Sequence, residues 1–71
     1  MKMYYSLISK YMLGDLWSVQ FGDYDKEVVK SELDYYKEGG EYHQLKIIRT
    51  GDKQELIDRE VKRLNDWHIK G

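Results

Sequence analysis

The sequence predicts an α+β domain of order ββαβα, with a three-stranded sheet in the order 2-1-3 and two helices packed on it. Three observations lead there. Residues 3–10 are apolar on both faces, residues 16–21 alternate apolar with polar, and two later stretches carry apolar residues at helical spacing. Seventy-one residues leave room for one domain, 1–71.

In the first strand, residues 3–10, Tyr5 and Leu7 point one way while Tyr4 and Ile8 point the other. A strand apolar on both sides belongs in the middle of a sheet whose two faces are covered. Gly14-Asp15 then supplies hairpin chemistry, because glycine takes a positive φ at no steric cost. In residues 16–21, Trp17, Val19 and Phe21 alternate with Ser18 and Gln20, which predicts a strand burying those three side chains on one face.

Gly22-Asp23 ends that strand and opens a helix. Asp23 is expected to accept from first-turn amides, with Asp25 and Glu27 favourably placed at the positive end of the dipole. Val29, Leu33 and Tyr36 recur at i, i+4 and i+7, and Val28 widens the stripe. Glu27, Lys30, Asp34 and Glu38 fall on the wet side, and Gly39-Gly40 stops the helix. Residues 42–50 predict a third strand, with His43, Leu45, Ile47 and Arg49 on one face and Ile48 on the other. Asp52 and Glu55 have capping-box spacing for a second helix. Ile57, Val61 and Leu64 mark its apolar stripe, flanked by Leu56 and Trp67.

The hairpin makes the first two strands antiparallel, and the helical crossover makes the third parallel to the second. Placing the two-sided strand between them gives a split β-α-β sheet. Direct adjacency of the second and third strands is the alternative order. The first helix covers one face, and the second is expected beside it or over the sheet end.

Composition excludes several functions. Without cysteine there is neither disulfide nor thiolate-metal staple, so ten aromatics must do the packing, each able to bury about 150–250 Å². No apolar run reaches the roughly 18–20 residues of a membrane span. The first twelve residues are too rich in tyrosine, and too interrupted by Ser6, Ser9 and Lys10, for a signal peptide. The expectation is a soluble, cytoplasmic protein without a membrane partner. His43 and His68 lack further ligands at metal spacing. The carboxylates of the first helix lie on a solvated face that offers no cleft to shift them. Ser6, Ser9, Ser18 and Ser31 have no nucleophile motif, and Gly39-Gly40 makes no phosphate loop. No enzyme, cofactor or metal is expected.

The charge is segregated. Residues 23–41 hold seven acids against three lysines, a net of −4 on a chain whose total is −1. Tyr24, Tyr35, Tyr36 and Tyr42 sit among those charges, and Tyr24 and Tyr35 fall off the apolar stripe. Exposed tyrosines framed by acid suit a surface that docks on a basic partner. The candidate partner-binding residues are therefore Asp23, Tyr24, Asp25, Glu27, Asp34, Tyr35 and Glu38. From Lys46 onward the chain nets +2. Arg49, Arg59, Lys62 and Arg63 could meet phosphate there while Trp67 stacks on a base, making a nucleic-acid-binding regulator the alternative. Against it, Glu55–Arg59 and Asp58–Lys62 have the spacing of ordinary helical ion pairs. A homodimer through sheet edges or the second helix, with Trp67 at the seam, is the structural alternative.

The run Leu16-Trp17-Ser18-Val19-Gln20-Phe21-Gly22-Asp23-Tyr24-Asp25, leading into Val28-Val29 and Leu33, resembles small uncharacterised bacteriophage accessory proteins. The likeness extends to Leu45-Lys46-Ile47-Ile48-Arg49-Thr50. Such proteins look like host-takeover factors or inhibitors of bacterial defence, anti-CRISPR proteins among them, which act by stoichiometric binding. The resemblance implies a bacterial host or defence protein as partner, and it transfers no site residues.

Overall fold

The structure, a computed structural model, describes residues 2–12 and 14–70, with side chains described as far as Asp66. The roles expected of Trp67 and His68 lie outside the described residues. The chain runs β1 (Met3–Lys10), β2 (Ser18–Asp23), α1 (Lys26–Gly39), β3 (Gln44–Gly51) and α2 (Gln54–Lys70). The three strands form one sheet in the order β2-β1-β3, with β1 antiparallel to both neighbours. The 2-1-3 arrangement therefore stands, and direct adjacency of the outer strands does not.

Paired residues on antiparallel strands project to the same face. One face of β1 carries Tyr4, Ser6, Ile8 and Lys10, with Ile48 and Lys46 opposite Ser6 and Ile8 on β3. The other face carries Tyr5, Leu7 and Ser9, with Ile47 and Leu45 opposite Leu7 and Ser9. Leu7 and Ile8 are both 0% exposed, so each face is covered. α1 lies across all three strands and closes the Leu7 face with Val29, itself 0% exposed. Burying each of these aliphatics stabilises the fold by about 1.5–3 kcal/mol.

α2 closes the Ile8 face, rather than packing beside α1 or over the sheet end. Asn65 on α2 accepts the Trp17 N–H at 2.7 Å and donates to the Trp17 carbonyl at 3.4 Å. Trp17 in turn lies under the Lys10 ammonium, 4.8 Å from the ring centroid, on the Ile8 face. Asn65 thus satisfies both backbone groups of a residue that has no strand partner. Among the described side chains of this helix, Ile57 is the buried apolar one.

The second strand departs from its expected form. It begins at Ser18 rather than Leu16, and its pairing with β1 slips between Leu7–Phe21 and Ile8–Val19. Gln20 is the extra residue of a β-bulge, and one inserted residue flips the parity of everything before it. Val19 and Phe21 therefore face opposite sides, against the shared face that their alternation predicts. Val19 is left 45% exposed, and Trp17 precedes the strand.

β2 also runs on through Gly22 and Asp23, so the helix starts two residues later than expected. Asp25 is the N-cap, accepting the Glu27 N–H at 2.9 Å, while Asp23 accepts the Asp25 N–H at 2.8 Å. Val28 is exposed and does not widen the buried stripe. Gly40 ends α1 in the left-handed region at φ 68°, donating to the Lys37 carbonyl. β3 starts at Gln44, two residues after the expected start, because Tyr42 stacks on other tyrosines and the His43 N–H reaches back to the Lys10 and Tyr11 carbonyls. The expected capping box does not form: Asp52 accepts the Tyr24 hydroxyl at 3.3 Å instead.

Two residues of the sheet give opposite expectations. A Cβ at Gly22 would come 2.7 Å from Cε2 and 2.8 Å from Cζ of Tyr4, whose ring packs edge-on against Tyr24. Gly22→Ala is expected to destabilise by about 1–3 kcal/mol in denaturant unfolding, and by less in a Tyr4→Ala background. Ser6 is fully buried and its hydroxyl finds no partner. Ser6→Ala is therefore expected to stabilise by about 1 kcal/mol in the same assay.

Candidate functional site

The seven acidic and tyrosyl candidates separate into two groups, one in the turn that precedes α1 and one along its outer face. In that turn, Asp23 accepts the Asp25 N–H and Asp25 accepts the N–H of Glu27, the second helical residue. Tyr24 is 52% exposed, yet its ring rests against Tyr4 and its hydroxyl donates to Asp52. Partial burial first, then the Asp52 carboxylate, hold the Tyr24 phenol above its ordinary value near 10. These three residues fasten β2, α1 and the start of α2 together.

Glu27, Asp34 and Glu38 are arranged differently. At 100° per residue they fall within about 40° of one another on α1, opposite Val29 and Tyr36, and span about 16 Å. All three are exposed. Among the described residues, no carboxylate of α1 takes part in an ion pair. Lys26, Lys30 and Lys37 lie together on one flank of this ridge. Val28 and Tyr35 border the other, and Tyr35 is 72% exposed.

The C-terminal end of the ridge opens on a hollow of about 500 Å³ lined by Tyr35, Tyr36, Glu38, Gly39, Glu41 and Tyr42. Its rings are packed on one another. Tyr36 and Tyr42 stack with centroids 5.5 Å apart and planes 25° from parallel. Tyr11, arriving from the end of β1, backs Tyr42 at 4.7 Å. Tyr35 meets Tyr36 edge-on at 6.0 Å. The Tyr11 hydroxyl is the largest influence on Tyr42, followed by partial burial and by Tyr11, Tyr36 and Glu41 as neighbouring charges, and together they push its phenol up to about 12.

Tyr11, Glu41 and Tyr42 are absent from the sequence-derived candidates. Tyr11 stands far from the others along the chain, and only the closing of β1 against β3 delivers it to the tip of α1. The nearest local signal is Tyr42, which follows the helix-ending glycines closely enough to fold back on Tyr36.

On α2 the basic candidates are differently placed. Arg63 pairs with Glu60, which holds the Glu60 carboxyl below its ordinary range. Asp58 accepts from Gln54 at 2.9 Å, and the expected Glu55–Arg59 and Asp58–Lys62 ion pairs do not form. Arg59 and Lys62 are exposed, but Glu55, Asp58 and Asp66 share that outer side with them. A second hollow of about 430 Å³ lies where Leu16 and Val19 meet Val61 and Asn65. Among the described residues, no group of three or more potential ligands is placed to hold a metal ion, and no helix is long and apolar enough to cross a membrane. No family model matches the chain, and neither does any curated protein or solved structure.

The raised Tyr42 phenol has a defined linkage. Folded Tyr42 keeps its proton to about 12, whereas the unfolded phenol loses it near 10. The stabilisation from Tyr42 is therefore complete below pH 10 and is lost as pH rises towards 12, where the unfolded state binds fewer protons. Denaturant midpoints measured from pH 9 to 12 should fall with pH, and Tyr42→Phe should flatten that fall relative to the parent chain.

Proposed function

We propose that the protein is a non-enzymatic binding domain that docks through the outer face of α1 on a basic surface of a partner protein. One observation carries this reading: Glu27, Asp34 and Glu38 stand in line, outside any ion pair, and end beside the exposed Tyr35. Unpaired carboxylates keep their field, which accelerates encounter with a basic surface and fixes orientation. Tyr35 adds a rigid anchor that loses little conformational entropy when it is covered. Asp23, Tyr24 and Asp25 frame the N-terminal end of the face and contribute charge there, their side chains already engaged in the turn.

The partner fitting this reading is a bacterial host or defence protein whose basic surface handles nucleic acid. The chain would occlude that surface in the cytoplasm of the host, as phage-type inhibitors of the anti-CRISPR kind do. The resemblance of residues 16–25 and 45–50 to phage accessory proteins supports that narrower version. Direct nucleic-acid binding through Arg49, Arg59, Lys62 and Arg63 is the weaker reading, because acids are interleaved with the last three of those bases. A homodimer through α2 is a structural reading with the Leu16–Val61 hollow as its seam.

The test uses the intact chain immobilised beside an Asp34→Lys/Glu38→Lys variant, with both exposed to bacterial lysate and the retained protein then purified. Association with the variant should be about tenfold slower at low salt, with circular dichroism unchanged. Equal association rates for the two chains would remove the acidic face as the docking surface.

A further inference from the structure

We propose that the tyrosine hollow at the C-terminal end of α1 receives an arginine side chain of the partner, an inference that rests on the basic-partner reading above. Glu38 and Glu41 line the hollow beside three phenol rings, and among the described residues no lysine or arginine lines it. Ring faces carry negative quadrupole density, so rings and carboxylates favour the same ligand charge. An anionic ligand would meet repulsion from both carboxylates and from the ring faces. A neutral apolar one would strip water from two carboxylates and return no hydrogen bond.

The geometry also selects among cations. Tyr36 and Tyr42 are near-parallel and already in contact, so a ligand cannot slip between them and must add to the tyrosine cluster from its open side. A planar guanidinium can lie flat against a ring while its forked N–H groups reach a carboxylate, whereas an ammonium offers a point charge without a plane. Tyr35 is the exposed ring at that opening, and its edge-on contact with Tyr36 leaves much of it uncovered. The volume of about 500 Å³ falls within the roughly 300–1,000 Å³ of small-ligand sites. The Glu41 carboxylate at the Tyr42 ring has the sign that a guanidinium requires.

The experiment titrates the intact chain with a capped Gly-Arg-Gly-Arg-Gly peptide at low salt, following the tyrosine ring signals by NMR. Parallel titrations use the same peptide carrying citrulline or lysine. The arginine peptide should move the Tyr35, Tyr36 and Tyr42 signals, and the citrulline peptide should leave them in place. Glu38→Gln/Glu41→Gln should weaken arginine binding about threefold to tenfold, and Glu27→Gln/Asp34→Asn less than that. Equal binding of the lysine or citrulline peptide would overturn the assignment. If the arginine peptide instead shifts only the amides around Glu27 and Asp34, the hollow is excluded while the acidic face survives. Absence of any binding by the arginine peptide would overturn both.

Discussion

The fold depends on burying β1 from both sides. Leu7 and Ile8 are consecutive, point to opposite faces of the sheet, and are both fully removed from water. Neither can be covered by the element that covers the other, so a chain of this length must place one helix on each face. α1 serves Leu7 and α2 serves Ile8, which uses all the helix the chain has. No layer remains to shield the outer sides of the helices, and those sides must be polar.

That division explains where the candidate site lies. Val29 and Tyr36 turn α1 towards the sheet, and the same helical period carries Glu27, Asp34 and Glu38 outward. α2 meets the same requirement with a mixture of signs and with Glu60 and Arg63 paired. The ridge of α1 instead lines up unpaired carboxylates with its lysines set to one flank, and at its C-terminal end tyrosines from the end of β1, from α1 and from the approach to β3 converge. The glycine that terminates the helix shapes this corner. Gly40 takes a left-handed turn that sends the chain back beneath Tyr36, so that Tyr42 can reach it.

Much of the fold was legible because its strongest signals are local. The two-sided apolarity of residues 3–10 marked the central strand, and the 3.6-residue stripe marked α1 with its exposed face. The same two-sidedness required a helix on each face, a consequence that the apolar pattern of α2 alone does not express. Other features depend on partners distant in sequence. The bulge at Gln20 is visible only against β1, and it sends Val19 and Phe21 to opposite sides although their spacing reads as one face. Asp52 has the sequence of a helix cap but meets the Tyr24 hydroxyl before it can serve as one. The tyrosine hollow was hidden for the same reason, since Tyr11 joins it only through the sheet.

The rims of the sheet bear on how the molecule associates with anything. The Gln20 bulge breaks the regular ladder on β2, and the exposed side chains along β3 include Lys46 and Arg49. Irregular backbone on one margin and positive charge on the other make poor templates for an incoming strand. Despite its brevity and its open three-stranded sheet, the protein is thereby guarded against fibrillar self-assembly. Both margins thus disfavour association through the backbone.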